Sequence, residues 1–154
     1  METADSNKQV EILNDLLQIN NDRIAGYEKA INGLEDEGNE DLKRLFRHLI
    51  NNSIDYNEAL ERQIGLLDGE PALGTSGAGK LYRAWMDFKA LVTGGDRAAI
   101  LGSCITGEET AIRAYQEAIA DEALAPDLQQ LLNGQLAEIR QSCQEINALK
   151  EVLE

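Results

Sequence analysis

Apolar residues recur with the period of an amphipathic α-helix in four long stretches of the chain. The pattern predicts helices at about 8–35, 40–67, 96–121 and 126–153. In the second stretch, for example, the apolar stripe consists of Leu42, Leu45, Leu49, Tyr56, Leu60, Ile64 and Leu67. Because the links within each pair are short, the partners must be antiparallel neighbours. The pattern therefore predicts an all-α, antiparallel four-helix bundle that forms a single domain over residues 1–154.

The segment between the two helix pairs, at 68–95, has a different character. It is rich in residues that interrupt helices, namely Gly69, Pro71, Gly74, Gly77, Gly79, Gly94 and Gly95. Within it, residues 80–92 have the pattern of a short amphipathic helix that carries Tyr82, Trp85 and Phe88. The sequence thus predicts a long crossover with a short extra helix between helices two and three.

Residues 74–80 of this crossover, Gly-Thr-Ser-Gly-Ala-Gly-Lys, fit the pattern G-x-x-x-x-G-K of a phosphate-binding loop. That motif also needs a Ser or Thr next, where this chain has Leu81, and a buried strand before it, which the preceding residues do not offer. A flexible crossover loop is therefore the better interpretation.

The two predicted hairpins resemble each other in sequence. Ile-Ala-Gly-Tyr-Glu-Lys-Ala-Ile around Tyr27 matches Ile-Arg-Ala-Tyr-Gln-Glu-Ala-Ile around Tyr115 at an offset of 88 residues. Residues 41–45 match 127–131 at an offset of 86 residues. The two matches suggest an internal duplication of one helical hairpin.

Charge narrows the range of partners. The chain has 14 basic and 28 acidic residues, which leaves a net charge of −14. Nucleic acids and anionic membranes bind proteins through Lys and Arg, so we expect neither as a partner. The N-terminal residues lack the pattern of a signal peptide, and no apolar run approaches the ~20 residues that cross a bilayer. The sequence predicts an acidic, soluble, cytoplasmic protein.

Two hairpins joined by a long crossover form the architecture of ferritin-like proteins. The order and spacing of three motifs make the resemblance more specific: Gly26-Tyr27-Glu28-Lys-Ala30, Arg83-Ala-Trp85-Met-Asp87-Phe-Lys89 and Gly107-Glu108-Glu109…Ala114-Tyr115. Over nearly the whole chain, they resemble a bacterial domain-of-unknown-function family in the ferritin-like superfamily. The resemblance implies a ferritin-like bundle and, by superfamily analogy, a link to bacterial stress. It implies no substrate.

The resemblance also raises the question of a di-iron site. Such a site takes one Glu from each of two helices and a Glu-x-x-His from each of the other two. In iron-binding relatives the single Glu often precedes an inward Tyr by seven residues, as Glu108 precedes Tyr115 here. Asn20 stands in the equivalent place before Tyr27, and neither helix two nor helix four contains Glu-x-x-His. We therefore expect no metal and no other cofactor, with Glu108 as the weak candidate ligand.

Glu108 has two interpretations. It is either the remnant of an altered cation site or a carboxyl group that is hydrogen-bonded in a polar core layer. The second is favoured because core tyrosines need partners for their hydroxyl groups. The predicted members of this core polar layer are Asn20, Tyr27, Tyr56, Tyr115 and Gln135.

These considerations favour a protein without enzymatic activity. With a single histidine, no Ser/His/Asp or Cys/His nucleophile set can be assembled. We predict a non-enzymatic bundle that acts by association, with a homo-oligomer as the expected form. Two alternatives stay open: a metal-binding or redox protein with a degenerate carboxylate site around Glu108, and a carrier of a small ligand within the bundle. Cys104 and Cys143 are predicted to be buried thiols at a similar height, with redox sensing as a minor alternative.

Overall fold

A computed structural model of the chain describes residues 3–74 and 97–153. These ranges form four α-helices and no strand: α1 Thr3–Gly33, α2 Glu40–Leu66, α3 Arg97–Ala120 and α4 Pro126–Val152. The prediction of an all-helical chain is thereby confirmed, although α1 begins at Thr3 rather than near residue 8. The predicted crossover helix at 80–92 lies outside the described residues, as does most of the G-x-x-x-x-G-K segment. None of the four helices is both long enough and apolar enough to cross a membrane.

The helix ends follow from local sequence. Gly38 has φ +85° in the turn between α1 and α2, a conformation that glycine adopts without steric cost. At the end of α2, the Gly69 N–H donates to the Ile64 carbonyl at 2.9 Å while Asp68 has φ +61°, which is a Schellman motif. A Cβ on Gly69 would lie 2.7 Å from the Val10 side chain, so only glycine fits here against α1. Pro126 fills the first turn of α4, as the sequence predicted.

Contacts at the two ends of the bundle establish the arrangement of the helices. At one end the Ala125 N–H donates to Gln9 Oε1 at 3.0 Å, and at the other Arg97 Nη2 binds Asp41 Oδ2 at 2.7 Å. Helices α1 and α2 pair, α3 and α4 pair, and α1 packs along α3. The first residues of α1 and α4 therefore lie at one end, the first residues of α2 and α3 at the other, and α4 lies diagonally across from α1.

The chain that follows α2 runs along α1. Asn14 and Asn21 lie two helical turns apart on α1, and their amides donate to the carbonyls of Glu70 at 3.0 Å and Gly74 at 2.7 Å. Asn14 Oδ1 in turn accepts from the Ala72 N–H at 2.7 Å. The chain thus leaves α2 at one end of the bundle, beside α1, whereas α3 begins at the other end.

The core between the helices is mainly aliphatic. Its fully buried members come from all four helices and include Leu13, Leu42, Leu60, Ile64, Ile100, Leu101, Leu132, Ile139 and Ile146. Burying one such side chain contributes roughly 1.5–3 kcal/mol. Phe46 adds an aromatic contact, with its ring centroid 5.2 Å from that of Tyr27. Next to Tyr27 the aliphatic packing gives way to polar side chains.

Candidate functional site

A layer of polar side chains interrupts the aliphatic core. Each of the four helices contributes to it, and every member is at least nine-tenths buried: Asn20, Arg23, Tyr27, Ser53, Tyr56, Glu108, Tyr115 and Gln135. These eight residues are called the polar layer below. It contains Glu108 and the five residues predicted to surround it. It also contains Arg23, which is not among the predicted members.

Arg23 and Glu108 form an ion pair across α1 and α3 in the centre of this layer. Arg23 Nε donates to Glu108 Oε1 at 2.7 Å, and Arg23 Nη2 donates to Glu108 Oε2 at 2.7 Å. The third donor, Nη1, binds Ser53 Oγ on α2 at 2.7 Å. Both charged side chains are 0% exposed. The geometry is the bidentate one in which a guanidinium binds a carboxylate most strongly.

The surroundings keep Arg23 charged and Tyr27 neutral. Burial alone would lower the pKa of Arg23, but the Glu108 carboxylate outweighs it and holds this pKa above its ordinary value. The Arg23 guanidinium also lies 5.7 Å from the centre of the Tyr27 ring, within the range of a cation–π contact. Burial, reinforced by Glu108, raises the pKa of Tyr27 well above the ordinary tyrosine value. The charges of the layer are therefore confined to one compensated pair.

A chain of hydrogen bonds connects the neutral members of the polar layer. Asn20 Nδ2 donates to the Tyr115 hydroxyl at 2.9 Å, and this hydroxyl donates to Gln135 Oε1 at 2.6 Å. Gln135 Nε2 continues to the Tyr56 carbonyl at 3.3 Å, which joins α4 to α2. The Tyr56 hydroxyl leaves the core and donates to Glu138 Oε1, on the exposed side of α4, at 2.8 Å. Burial raises the pKa of both Tyr115 and Tyr56.

The principal partner of Glu108 is not among those predicted. We predicted hydrogen bonds to Tyr27, Tyr56, Asn20 or Gln135. Both carboxylate oxygens bind Arg23, and of the four predicted partners Tyr27 is hydrogen-bonded to Glu108. Asn20 and Gln135 instead bind the Tyr115 hydroxyl. One signal for Arg23 was present in the sequence: it lies three residues after Asn20 and four before Tyr27, on the same inward face of the helix.

The polar layer does not fit the di-iron centre that a ferritin-like resemblance implies. A guanidinium binds both oxygens of the one candidate ligand, so a positive charge already stands where a metal cation would bind Glu108. At the equivalent place on α1, the Asn20 amide directs its Nδ2 to Tyr115. Within residues 3–74 and 97–153, no three His, Cys, Asp or Glu side chains are grouped so that they could hold a metal ion.

Both cysteines are buried thiols. Burial, together with Glu108 and Glu109, raises the pKa of Cys143 to about 11. The thiolate is the reactive form of cysteine, so this environment opposes reaction of Cys143 near neutral pH. Redox sensing stays a prediction, and the pKa of Cys143 argues against it.

An open concave surface lies away from the polar layer. It is an open groove of about 670 Å³ between the first half of α1 and the second half of α3. Its floor is apolar, with Ile12, Leu16 and Ile19 on one side and Ala114 and Ala118 on the other. None of the eight residues of the polar layer lines it. The groove therefore does not supply the cavity beside the tyrosines that a ligand carrier would need.

Comparison with known proteins gives a family but no activity. Residues 8–121 match the model of a domain of unknown function, DUF2383, which covers more than half of the chain and includes most of α1 and all of α2 and α3. No curated protein matches the chain. The predicted resemblance to a domain-of-unknown-function family is thus confirmed, and the chain belongs to the DUF2383 family.

Proposed function

We propose that this chain is a ferritin-like bundle without a di-iron site, and that it acts as a non-enzymatic protein by association in bacterial stress. The arrangement of the helices supports the ferritin-like assignment. Two antiparallel hairpins pack together, and the chain leaves α2 at one end of the bundle and enters α3 at the other. Such a fold needs a long crossover between its hairpins, as in ferritin-like proteins.

One observation carries the proposal that the core has no metal chemistry: the bidentate contact of Arg23 with Glu108. In a di-iron protein, metal cations compensate the charge of the inward carboxylates. Here the chain supplies the compensating cation itself, at 2.7 Å and without exposure to solvent. A metal ion would have to displace a guanidinium whose third donor is held by Ser53. The charges of Arg23 and Glu108 therefore compensate each other without a metal ion.

The same contacts weaken both alternatives from the sequence. A degenerate metal site around Glu108 would need carboxylate oxygens that Arg23 already binds. A carrier within the bundle would need space beside Tyr115, whose hydroxyl is bound on two sides by Asn20 and Gln135. With a core that is closed in this way, the outer surface of the helices is left for the activity of the protein.

Iron binding tests the proposal directly. The purified protein is incubated anaerobically with ferrous iron, desalted and analysed for iron, and aerobic ferrous oxidation is followed by absorbance. Glu108→Gln is the matched variant, since it removes the candidate ligand. We expect wild type and variant to retain well under one iron per chain and to oxidise ferrous iron at the rate of buffer. About two iron atoms per chain in wild type, lost in Glu108→Gln, would refute the proposal.

A further inference from the structure

An uncharged stripe runs along the outward face of α4, between Arg140 on one side and Glu138 and Glu145 on the other. Six exposed positions follow one another at intervals of four and three residues, on the side of the helix opposite its buried residues: Gln130, Gly134, Ala137, Gln141, Gln144 and Ala148. These six residues are called the α4 stripe below. The outward face of α2 is different, because it carries Arg44, Arg47, Asp55, Glu58 and Arg62. In a chain with a net charge of −14, an uncharged stripe is a place where two copies can approach without direct repulsion.

The α4 stripe has the four-and-three spacing of a coiled-coil seam, with glutamine, glycine and alanine where a coiled coil has larger apolar side chains. Intervals of four and three residues keep one face of a helix toward a partner helix along its length. A Cβ on Gly134 would meet nothing within 4 Å, so the helix surface is open there. Gly134, Ala137 and Ala148 allow a partner helix to come close, and the three glutamines can exchange amide hydrogen bonds across the seam.

Charged residues that flank the stripe specify the partner. Arg140 borders it on one side and Glu145 on the other, and both are exposed. Neither forms an ion pair with any other residue of the described ranges. With the stripe at positions a and d of a heptad, Arg140 is at g and Glu145 at the following e. These are the positions that form salt bridges between two parallel helices. In an antiparallel pair, Arg140 would instead face its own copy.

We propose that two copies of this chain associate through the α4 stripe, with their α4 helices side by side and parallel. Arg140 of each copy pairs with Glu145 of the partner subunit. The inference rests on the proposed function, because it names the surface through which the bundle associates. The described part of the connection after α2 runs along α1, diagonally across the bundle, and so does not cover this face. A single helix pair buries less than the roughly 1,200 Å² of a standard interface, so the dimer is weak and depends on concentration.

Charge substitutions test this pairing against a general effect of net charge. Sedimentation velocity over a concentration series is compared for wild type, Arg140→Glu, Glu145→Arg and the double exchange. We expect each single substitution to weaken dimerisation by about tenfold, because two ion pairs become two repulsions. The double exchange restores it. Glu145→Arg distinguishes the specific pairing from an effect of net charge. It lowers the net negative charge, so it would strengthen an association governed by net charge alone, whereas it weakens the proposed pairing. Arg44→Glu on α2 is the matched control and leaves dimerisation unchanged.

The relative direction of the helices is tested by Gln141→Cys under mild oxidation. In the parallel pair residue 141 faces its own copy and forms a disulfide-linked dimer, whereas in an antiparallel pair it faces Ala137. Asn51→Cys on the outward face of α2 is the control, and it stays uncrosslinked. A wild-type protein that is monomeric at every concentration would refute association itself, and with it the proposed function. A dimer that tolerates both single charge substitutions, or that does not crosslink at 141, would refute this interface while association stands.

Discussion

Two arginine–carboxylate pairs in this bundle have the same shortest nitrogen–oxygen distance and opposite surroundings. Arg23 and Glu108 meet at 2.7 Å with both side chains 0% exposed. Arg97 and Asp41 also meet at 2.7 Å, but their side chains are 28% and 55% exposed. The first pair joins α1 to α3 within the core, and the second joins the first residues of α2 and α3 at the end of the bundle.

Solvent makes the two pairs energetically different. Water can replace either partner of the exposed pair, so such a pair typically contributes 0–1 kcal/mol. No water replaces a partner inside the core, so the loss of one side chain leaves the other as an uncompensated buried charge. Removal of one member of the buried pair is therefore strongly destabilising, even where replacement of both members by apolar side chains would leave the stability unchanged. This difference makes Arg23 a fixed part of the core rather than an occasional ligand of Glu108.

The largest effect is expected from removing one half of the buried pair. Arg23→Met keeps the length of the side chain but leaves Glu108 without its cation, and should lower the free energy of unfolding by about 3–5 kcal/mol. The double variant Arg23→Met/Glu108→Leu should be clearly more stable than Arg23→Met, because it removes both charges together. Urea unfolding followed by circular dichroism measures both. A cost below about 1 kcal/mol for Arg23→Met would mean that water reaches Glu108 and that the pair is not truly buried.

Alkaline pH tests the burial of the tyrosines around this pair. The pKa values of Tyr27, Tyr56 and Tyr115 are all raised in the folded state. The stability that they contribute is complete below the unfolded value near 10, and it is lost as the pH rises toward the folded values. At pH 11 the loss should be about 1.4 kcal/mol per tyrosine. Tyr82, the fourth tyrosine of the chain, is replaced by phenylalanine so that the absorbance of tyrosinate reports only on these three. In this variant, that absorbance should appear together with the loss of the helical circular-dichroism signal. Ionisation of any tyrosine near pH 10 while this variant is still folded would contradict the prediction.

A smaller effect is expected from the neutral part of the polar layer. Tyr115→Phe removes the hydroxyl between Asn20 and Gln135. The buried atoms Asn20 Nδ2 and Gln135 Oε1 then each lose this hydrogen-bond partner. We expect a loss of about 1–3 kcal/mol. Tyr56→Phe is the matched control, since the Tyr56 hydroxyl binds Glu138 at the exposed side of α4, and it should cost about 1 kcal/mol or less. Equal losses in the two variants would show that depth in the core does not decide the cost.

The helices were predictable because their signal is local. Aliphatic residues at helical spacing fix the inward face of α2 from its own sequence, and Gly38 and Pro126 mark a turn and a helix start without reference to other helices. The position of Tyr27 on the inward face followed in the same way. A charged residue within such a stripe carries no comparable signal, so Arg23 was overlooked although it stands between Asn20 and Tyr27.

The pairing within the polar layer was not predictable from local pattern. Arg23 and Glu108 are 85 residues apart in sequence, and their contact depends on the register in which α1 lies along α3. That register results from the packing of many side chains along both helices, such as Leu13, Leu17, Ile100 and Leu101. A one-turn shift of about 5.4 Å would separate the ion pair entirely. For the same reason the predicted partners of Glu108 were incomplete. They included only neutral polar residues expected at the same level of the bundle, and no arginine or lysine.

The smallest effect is expected from the exposed pair at the end of the bundle. The hydrogen bond from Arg97 lowers the pKa of Asp41 to about 2, below the unfolded value near 3.9. A depressed carboxyl pKa contributes stability above pH 4 that is lost as the pH falls through 2.

Since Asp41 is 55% exposed, solvent screening keeps this contribution below about 1 kcal/mol. Arg97→Gln should therefore lower the free energy of unfolding by less than about 1 kcal/mol at pH 7 and by much less at pH 2, where Asp41 is about half protonated in the folded state. Urea unfolding of both proteins across this pH range provides the difference. If the difference persisted undiminished at pH 2, Arg97 would act by another route, such as its place in the first turn of α3, where a positive charge opposes the helix dipole.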